Sequence, residues 1–227
     1  FPYKTRLRSG VIVIALPISQ YLTHLGHEVF WPIDGRWIPD FQQAEPRVSW
    51  LPVAATPGTT DYFLLEPRRL LTHANCNRQI LLYSHLSNAV IENARYAHAL
   101  KFDEYKYAVA GVPFLEKWKL RVNRNPQREQ ALFESLPTSK PYAVLHLEGS
   151  DVSLDIDKGM FEREGLGVVE IRPNLANLFD WLKVIEHAAR LVMIDSVFAN
   201  VVEQLGLARE ARKTLILRSP TPFTPVF

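Results

Sequence analysis

Apolar and polar positions divide the chain into a rhythmic back half and a looser front half. In the back half, Tyr142 to Leu147 and Gly167 to Ile171 are short apolar runs closed by turn residues, the pattern of buried strands. Asn177 stands as the cap of a helix expected to reach about Arg190. Leu178, Leu182, Ile185 and Ala189 share its inner face, and Lys183, Glu186 and Arg190 face solvent. Leu191 to Ile194 reads as a strand. Asp195 and Ser196 are capping residues, and Phe198, Val201, Val202 and Leu205 line a second helix that stops near Gly206. Lys213 to Leu217 closes with another strand. Strands alternating with helices at these lengths predict an α/β fold with a parallel sheet.

In the front half, Tyr3 to Leu7, Glu28 to Ile33, Val48 to Val53, Asp61 to Leu65 and Gln79 to Tyr83 read as strands, and Leu86 to Leu100 as a helix. Asn125 and Pro126 form a cap followed by proline at the first helical position, opening a helix to about Leu136. Pro137 to Pro141 reads as a linker, so a boundary between two lobes, 1–138 and 139–227, is expected there. One stretch divides the rules. Val11 to Ile14 is β-branched throughout and Pro17 does not suit a helix interior, so propensity favours a strand. Ser9-Gly10 before it and Gln20 to Leu25 after it suit a turn leading into a helix.

Composition narrows the function classes. With 227 residues, 47% hydrophobic and 22% charged, the chain has material for one large domain or two small lobes, and it is not disordered, collagenous or coiled-coil. The apolar run Val11 to Ile18 is far short of the roughly 18–20 residues of a membrane helix, although a peripheral membrane contact stays open. A net charge of +2 gives no electrostatic case for a nucleic-acid partner. The single cysteine, Cys76, makes neither an internal disulfide nor a Cys-rich zinc site, which fits a reducing, cytoplasmic setting. No cationic stretch, apolar run and small-residue cleavage site open the chain, so secretion has no support. The chain starts at Phe1 rather than Met, which leaves room for native residues ahead of it.

Two motifs carry a resemblance. Arg8-Ser9-Gly10 followed by Val11-Ile-Val-Ile-Ala15-Leu16-Pro17 resembles the opening of the heptosyltransferase-type bacterial glycosyltransferases, which begin with a strand, a glycine turn, an aspartate and a helix containing Leu-Pro. Leu191-Val-Met-Ile-Asp195-Ser196-Val-Phe-Ala-Asn200 resembles the family's strand ending in Asp-Thr-Gly with a histidine beyond it, and Tyr142 to Ser150 resembles the segment opening its donor-binding lobe. The resemblance implies two Rossmann-like lobes facing across a cleft, the GT-B arrangement, with 1–138 on the acceptor side and 139–227 on the donor side. It also makes Val11 to Leu25 a helix kinked at Pro17. The implied activity is metal-independent transfer of a sugar from a nucleotide-diphosphate donor to a glycan or other hydroxyl acceptor, with no cofactor beyond the donor. The sequence departs from the family in three places: Val11 stands where the family has the aspartate assigned as general base, Val197 replaces the last glycine, and Asn200 replaces the histidine. The chain is also about a hundred residues shorter than the family's usual members. A nucleotide-sugar epimerase of the same architecture and a non-catalytic nucleotide- or sugar-binding relic are the alternatives.

The candidate chemistry follows from position. Ser196 and Val197 stand where a strand gives way to a helix, so their amides face a diphosphate, and Asp195 and Asn200 offer partners for sugar hydroxyls. The plainer reading makes Asp195-Ser196 a helix cap and Asn200 a solvated helix residue. Gly149 permits close backbone approach and Ser150 adds a hydroxyl, while Lys158 offsets the acidic residues around them. His146, inside a strand, reads as a core histidine. Arg172, at a strand's carboxyl end, is placed to neutralise a departing diphosphate, with Arg218 a weaker candidate. On the acceptor side, Arg8 and Gly10 are expected near the donor phosphates. Asp34 or His85 supplies the base, Asp34-Gly35 being equally an ordinary turn. Lys106 to Lys119, with Trp118, Arg121 and Arg124, reads either as a sugar- or anion-holding surface or as a packed connection.

Overall fold

The computed structural model describes residues 9–82, 99–149, 153–172 and 175–217. The disputed stretch is a helix, α1 (Ser9–His24), with Pro17 inside it. Burial overrides β-propensity here: Val13, Ala15 and Leu16 are wholly enclosed and Ile12, Ile14 and Ile18 nearly so, and a helix apolar on every side belongs in a core. Proline has no N–H to give the carbonyl one turn back. That carbonyl, on Val13, accepts instead from Gln204 Nε2 at 3.0 Å, and the Tyr107 hydroxyl donates to the adjacent Ile14 carbonyl at 2.9 Å.

β1 (Phe30–Asp34) and β2 (Ser49–Val53) pair in parallel, Phe30 opposite Ser49 and Asp34 opposite Val53. A 3-10 turn (Gly35–Trp37) and α2 (Ile38–Ala44) connect them. Asp61 to Leu65, expected as a strand, is a wide helical turn that runs into α3 (Glu66–His73). The reason is local: Thr59 starts the helix, its hydroxyl accepting from the Tyr62 amide and its carbonyl from the Phe63 amide. The Glu66 carboxylate then ties α3 to β2 by accepting from the Ala54 and Ala55 amides. Residues 79–82 form no strand, and Tyr3 to Leu7 and most of Leu86 to Leu100 lie outside the described residues. α4 (Phe102–Ala110) ends at Gly111, whose φ of 72° is the left-handed conformation glycine adopts freely. A 3-10 segment (Phe114–Lys119) and α5 (Pro126–Ser135) follow, and Asn125 caps α5 as expected by accepting from the Arg128 amide at 3.0 Å.

The back half forms a four-stranded parallel sheet from β3 (Tyr142–His146), β4 (Gly167–Glu170), β5 (Arg190–Ile194) and β6 (Arg212–Ile216), in the order β4-β3-β5-β6. β3 and β5 are buried along their whole length, which is why they read as unbroken apolar runs. The connections are α6 (Gly159–Arg163), a 3-10 turn (Leu178–Trp181) running into α7 (Leu182–Glu186), and α8 (Val197–Leu205). The helix expected to reach Arg190 therefore stops at Glu186. Arg190 opens β5 with its side chain buried, hydrogen-bonded to the Glu164 carboxylate and set over the Phe161 ring, so its expected solvent exposure is corrected.

One buried cluster runs through residues on both sides of position 138. It holds Leu16, Phe41 and Trp50 together with Val144, Trp181 and Phe198. Phe41 meets Phe179 edge to face at 5.7 Å. Polar ties cross at its rim: Arg128 donates to both Gln43 and Asp180, and the Leu178 amide donates to Asp40. Among the described residues no helix is long and apolar enough to cross a membrane.

Candidate functional site

The strand order places β4 on one side of β3 and β5 on the other, so the chain reverses direction across the sheet between β3 and β5. In parallel α/β sheets the crevice outside the carboxyl ends of two such strands collects ligands. Here those ends carry His146, the last residue of β3, and Asp195-Ser196, which follow β5. Ser196 is the N-cap of α8, with extended backbone, but its side chain makes no capping hydrogen bond. The hydroxyl is instead hydrogen-bonded to His146 Nδ1 at 2.9 Å. The amides of Val197, Phe198 and Ala199 have no acceptor among the described residues, and the two a serine cap would ordinarily bond are those of Phe198 and Ala199. Open N–H groups at the positive end of a nine-residue helix are chemically able to hold an anion.

Asn200 completes this end of the helix. Its backbone and side-chain amides both donate to the Ser196 carbonyl, at 3.2 and 2.8 Å. Its Oδ1 is buried without a donor among the described residues, the side chain being 2% exposed. Asp195 is buried at 1% exposure, and its amide donates to the Ile216 carbonyl at 2.9 Å, fastening the turn to β6. His146 is 3% exposed with its ring 4.7 Å from that of Phe198, and burial pushes its pKa down to about 4. It is neutral near pH 7.

Gly149 lies half-buried in the loop leaving β3, at the same end of the sheet. The loop is closed by the Leu154 amide donating to the Leu147 carbonyl at 3.0 Å and by a bridge between Glu148 and Ser153. Ser150 is outside the described residues. Lys158, expected to relieve the acidity of this loop, is paired with Glu170. Arg172 is exposed just beyond β4, its carbonyl accepting from the Leu175 amide. Of the donor-side expectations, Asp195, Ser196, Val197 and Asn200 thus lie together, with Gly149 and Arg172 at the same end of the sheet, and His146, expected as a core histidine, is buried beside them.

Of the acceptor-side expectations, Arg8 and His85 are outside the described residues, as is the donor-side candidate Arg218, and Gly10 lies in the first turn of α1. Asp34 ends β1, buried, and receives two hydrogen bonds from the Arg36 backbone and guanidinium on Oδ1. Arg36 Nη2 and the Tyr62 hydroxyl reach Oδ2 at 2.7 and 3.0 Å. These bonds, those of the Arg36 guanidinium foremost, hold the carboxyl below the usual carboxylate range. Asp34 borders a cavity of about 570 Å³ that Val11, Ile12 and Ala15 of α1, Trp31 and Tyr62 also line. In the Lys106 to Lys119 segment two of the three lysines are buried: Lys106 donates to the Leu82 carbonyl at 2.7 Å, and Lys117 pairs with Asp103 at 2.7 Å. That segment is a packed connection, with Leu115 and Trp118 exposed on its outer face.

The pairing of His146 with Ser196 is what sequence reading misses. Fifty positions separate the two, and only the parallel register that sets His146 beside Met193 shows that both chains end at one level. Among the described residues no group of three or more His, Cys, Asp or Glu side chains is placed to hold a metal ion.

No family model matches the chain, and no curated protein matches it. A solved structure similar in shape is that of the bacterial iron-containing dodecameric glycosyltransferase TibC from enterotoxigenic E. coli H10407, at 12% identity and a TM-score of 0.49. The likeness covers 94% of this chain and 58% of that one, so this chain spans under two thirds of that protein's length.

Proposed function

We propose that the crevice between the ends of β3 and β5 takes the diphosphate of a nucleotide sugar, and that the protein transfers the sugar to a hydroxyl of a glycan or other acceptor. The observation carrying this reading is the open start of α8, where Ser196 turns to His146 and leaves the Val197, Phe198 and Ala199 amides uncapped. Such amides stabilise charge where it develops, on the diphosphate oxygen released as the bond to the sugar breaks. The buried Asn200 Oδ1 takes a sugar hydroxyl, Gly149 lets the loop backbone approach, and the exposed Arg172 swings over the leaving group. The new bond forms from the acceptor oxygen to the sugar carbon, and the acceptor proton passes to a base. Asp34 is the carboxylate proposed for that side. It takes that proton, oriented by the bonds from Arg36 and Tyr62 that also lower its basicity. No metal takes part in the proposed transfer.

Those same bonds, with Val11 buried in α1, favour a second reading in which the fold binds the donor without turning it over. Calorimetric titration with ADP, GDP, UDP and CMP, followed by assays of donor hydrolysis and transfer with and without EDTA, separates the two. Binding with turnover is expected. Binding without turnover establishes the second reading, and no binding by any nucleotide overturns both.

A further inference from the structure

Serine at an N-cap ordinarily turns its oxygen inward to accept from the amide two or three residues on. Ser196 has the extended backbone of that position, φ −155°, yet its hydroxyl points to His146 Nδ1 at 2.9 Å. His146 is rigidly placed to impose this. It ends a fully buried strand, and its ring packs against Phe198 in the first turn of the same helix. A second, independent feature marks the helix start as a receptor: Asn200 folds back onto the Ser196 carbonyl and leaves a buried Oδ1 without a donor among the described residues.

We propose that His146 is a positioning residue that keeps the anion receptor open, holding the Ser196 hydroxyl away from the helix so that the amides of Phe198 and Ala199 stay available to a phosphate group. The inference rests on the reading of this crevice as a diphosphate site. The hydroxyl and the ligand compete for the same donors. His146 decides the competition, and it touches neither the phosphate nor the sugar. Removing it lets the helix cap itself.

The test is a double-mutant cycle with inorganic pyrophosphate as the probe, read by calorimetry and by amide NMR. His146→Leu should weaken pyrophosphate about tenfold, and Ser196→Ala about threefold. The combined variant should bind better than His146→Leu alone, because no hydroxyl remains to close the helix. His146→Asn, whose amide reaches the position of Nδ1, should stay within about threefold of wild type. Without any ligand, the amide proton of Phe198 or Ala199 should move downfield in His146→Leu and return in the combined variant. A merely structural role for His146 predicts a combined variant at least as weak as His146→Leu and no amide shift, and that result overturns the inference. If the wild type ignores pyrophosphate while the amide shift appears, the diphosphate reading falls and the lock on Ser196 stands. If the wild type binds and His146→Leu binds equally, the lock falls and the reading stands. Should His146→Leu not fold, the ¹⁵N shift of His146 Nδ1 in the wild type and in Ser196→Ala decides, and an unchanged value overturns the proposal.

Discussion

Gln204 of α8 donates a hydrogen bond of 3.0 Å to the carbonyl of Val13 in α1, the carbonyl that Pro17 leaves without a helical partner. The helix that bears the candidate anion site is thus fastened at its far end to a gap that proline creates in another helix. With the buried Gln204 replaced by Met, a wholly enclosed carbonyl loses its donor, at a cost of about 1–3 kcal/mol. In a Pro17→Ala background the alanine N–H is available to Val13, so the same replacement should cost clearly less. Urea unfolding of the four proteins measures the coupling, and equal costs in both backgrounds would show that the contact does not answer the proline.

His146 makes stability depend on pH with a definite sign. Its folded pKa of about 4 lies below the ordinary 6.5, so between those values the unfolded chain binds the extra proton. The stabilisation is complete above about pH 6.5 and is lost as pH falls toward 4. From pH 7.5 to 5, a span that avoids most carboxylate titration, the wild type should lose about 2 kcal/mol more than His146→Asn. Parallel loss in both proteins would place the sensitivity elsewhere.

Lys117 Nζ lies 2.7 Å from Asp103 and 3.5 Å from Glu203, joining α4 to α8 inside the protein. Lys117→Met strands a buried carboxylate and should cost about 3–5 kcal/mol. Replacing Asp103 by Leu in the same protein should recover at least about 1 kcal/mol of that loss. Additive losses in thermal or urea unfolding would contradict the pairing.

Much of this fold is legible locally. Asn125-Pro126 and Gly206 mark helix ends by chemistry that acts within a few residues, and β3 and β5 betray themselves by unbroken apolar runs because both their faces are covered. What cannot be read depends on distant partners. Val11 to Ile18 forms a helix because neighbours enclose it on every side. Arg190 is buried because Glu164, twenty-six residues earlier, meets it. The site divides in the same way. The turn at Asp195-Ser196 is visible in the sequence, whereas the diversion of the Ser196 hydroxyl to His146 exists only once the register of two strands brings them level.

Arg172 is exposed beyond the edge strand β4 and is the proposed mobile cation of the donor crevice. Arg172→Ala should weaken nucleoside diphosphate binding about three- to tenfold and steepen no other property, since a solvent-exposed charge contributes little to folding. Unchanged affinity with unchanged stability would remove it from the site.

Two substitutions at the same crevice separate backbone from side-chain recognition. If the α8 amides carry the phosphate, the Ser196 hydroxyl adds little, because His146 already occupies it. Gly149 lies half-buried in the loop after β3, which the Leu154 amide closes by donating to the Leu147 carbonyl, and a larger residue there adds bulk on the side proposed for the phosphate. Gly149→Val should therefore cost diphosphate affinity at least about tenfold, against about threefold for Ser196→Ala. The order matters more than either value. A larger loss at Ser196 would make the hydroxyl, rather than the main chain, the group that holds the anion.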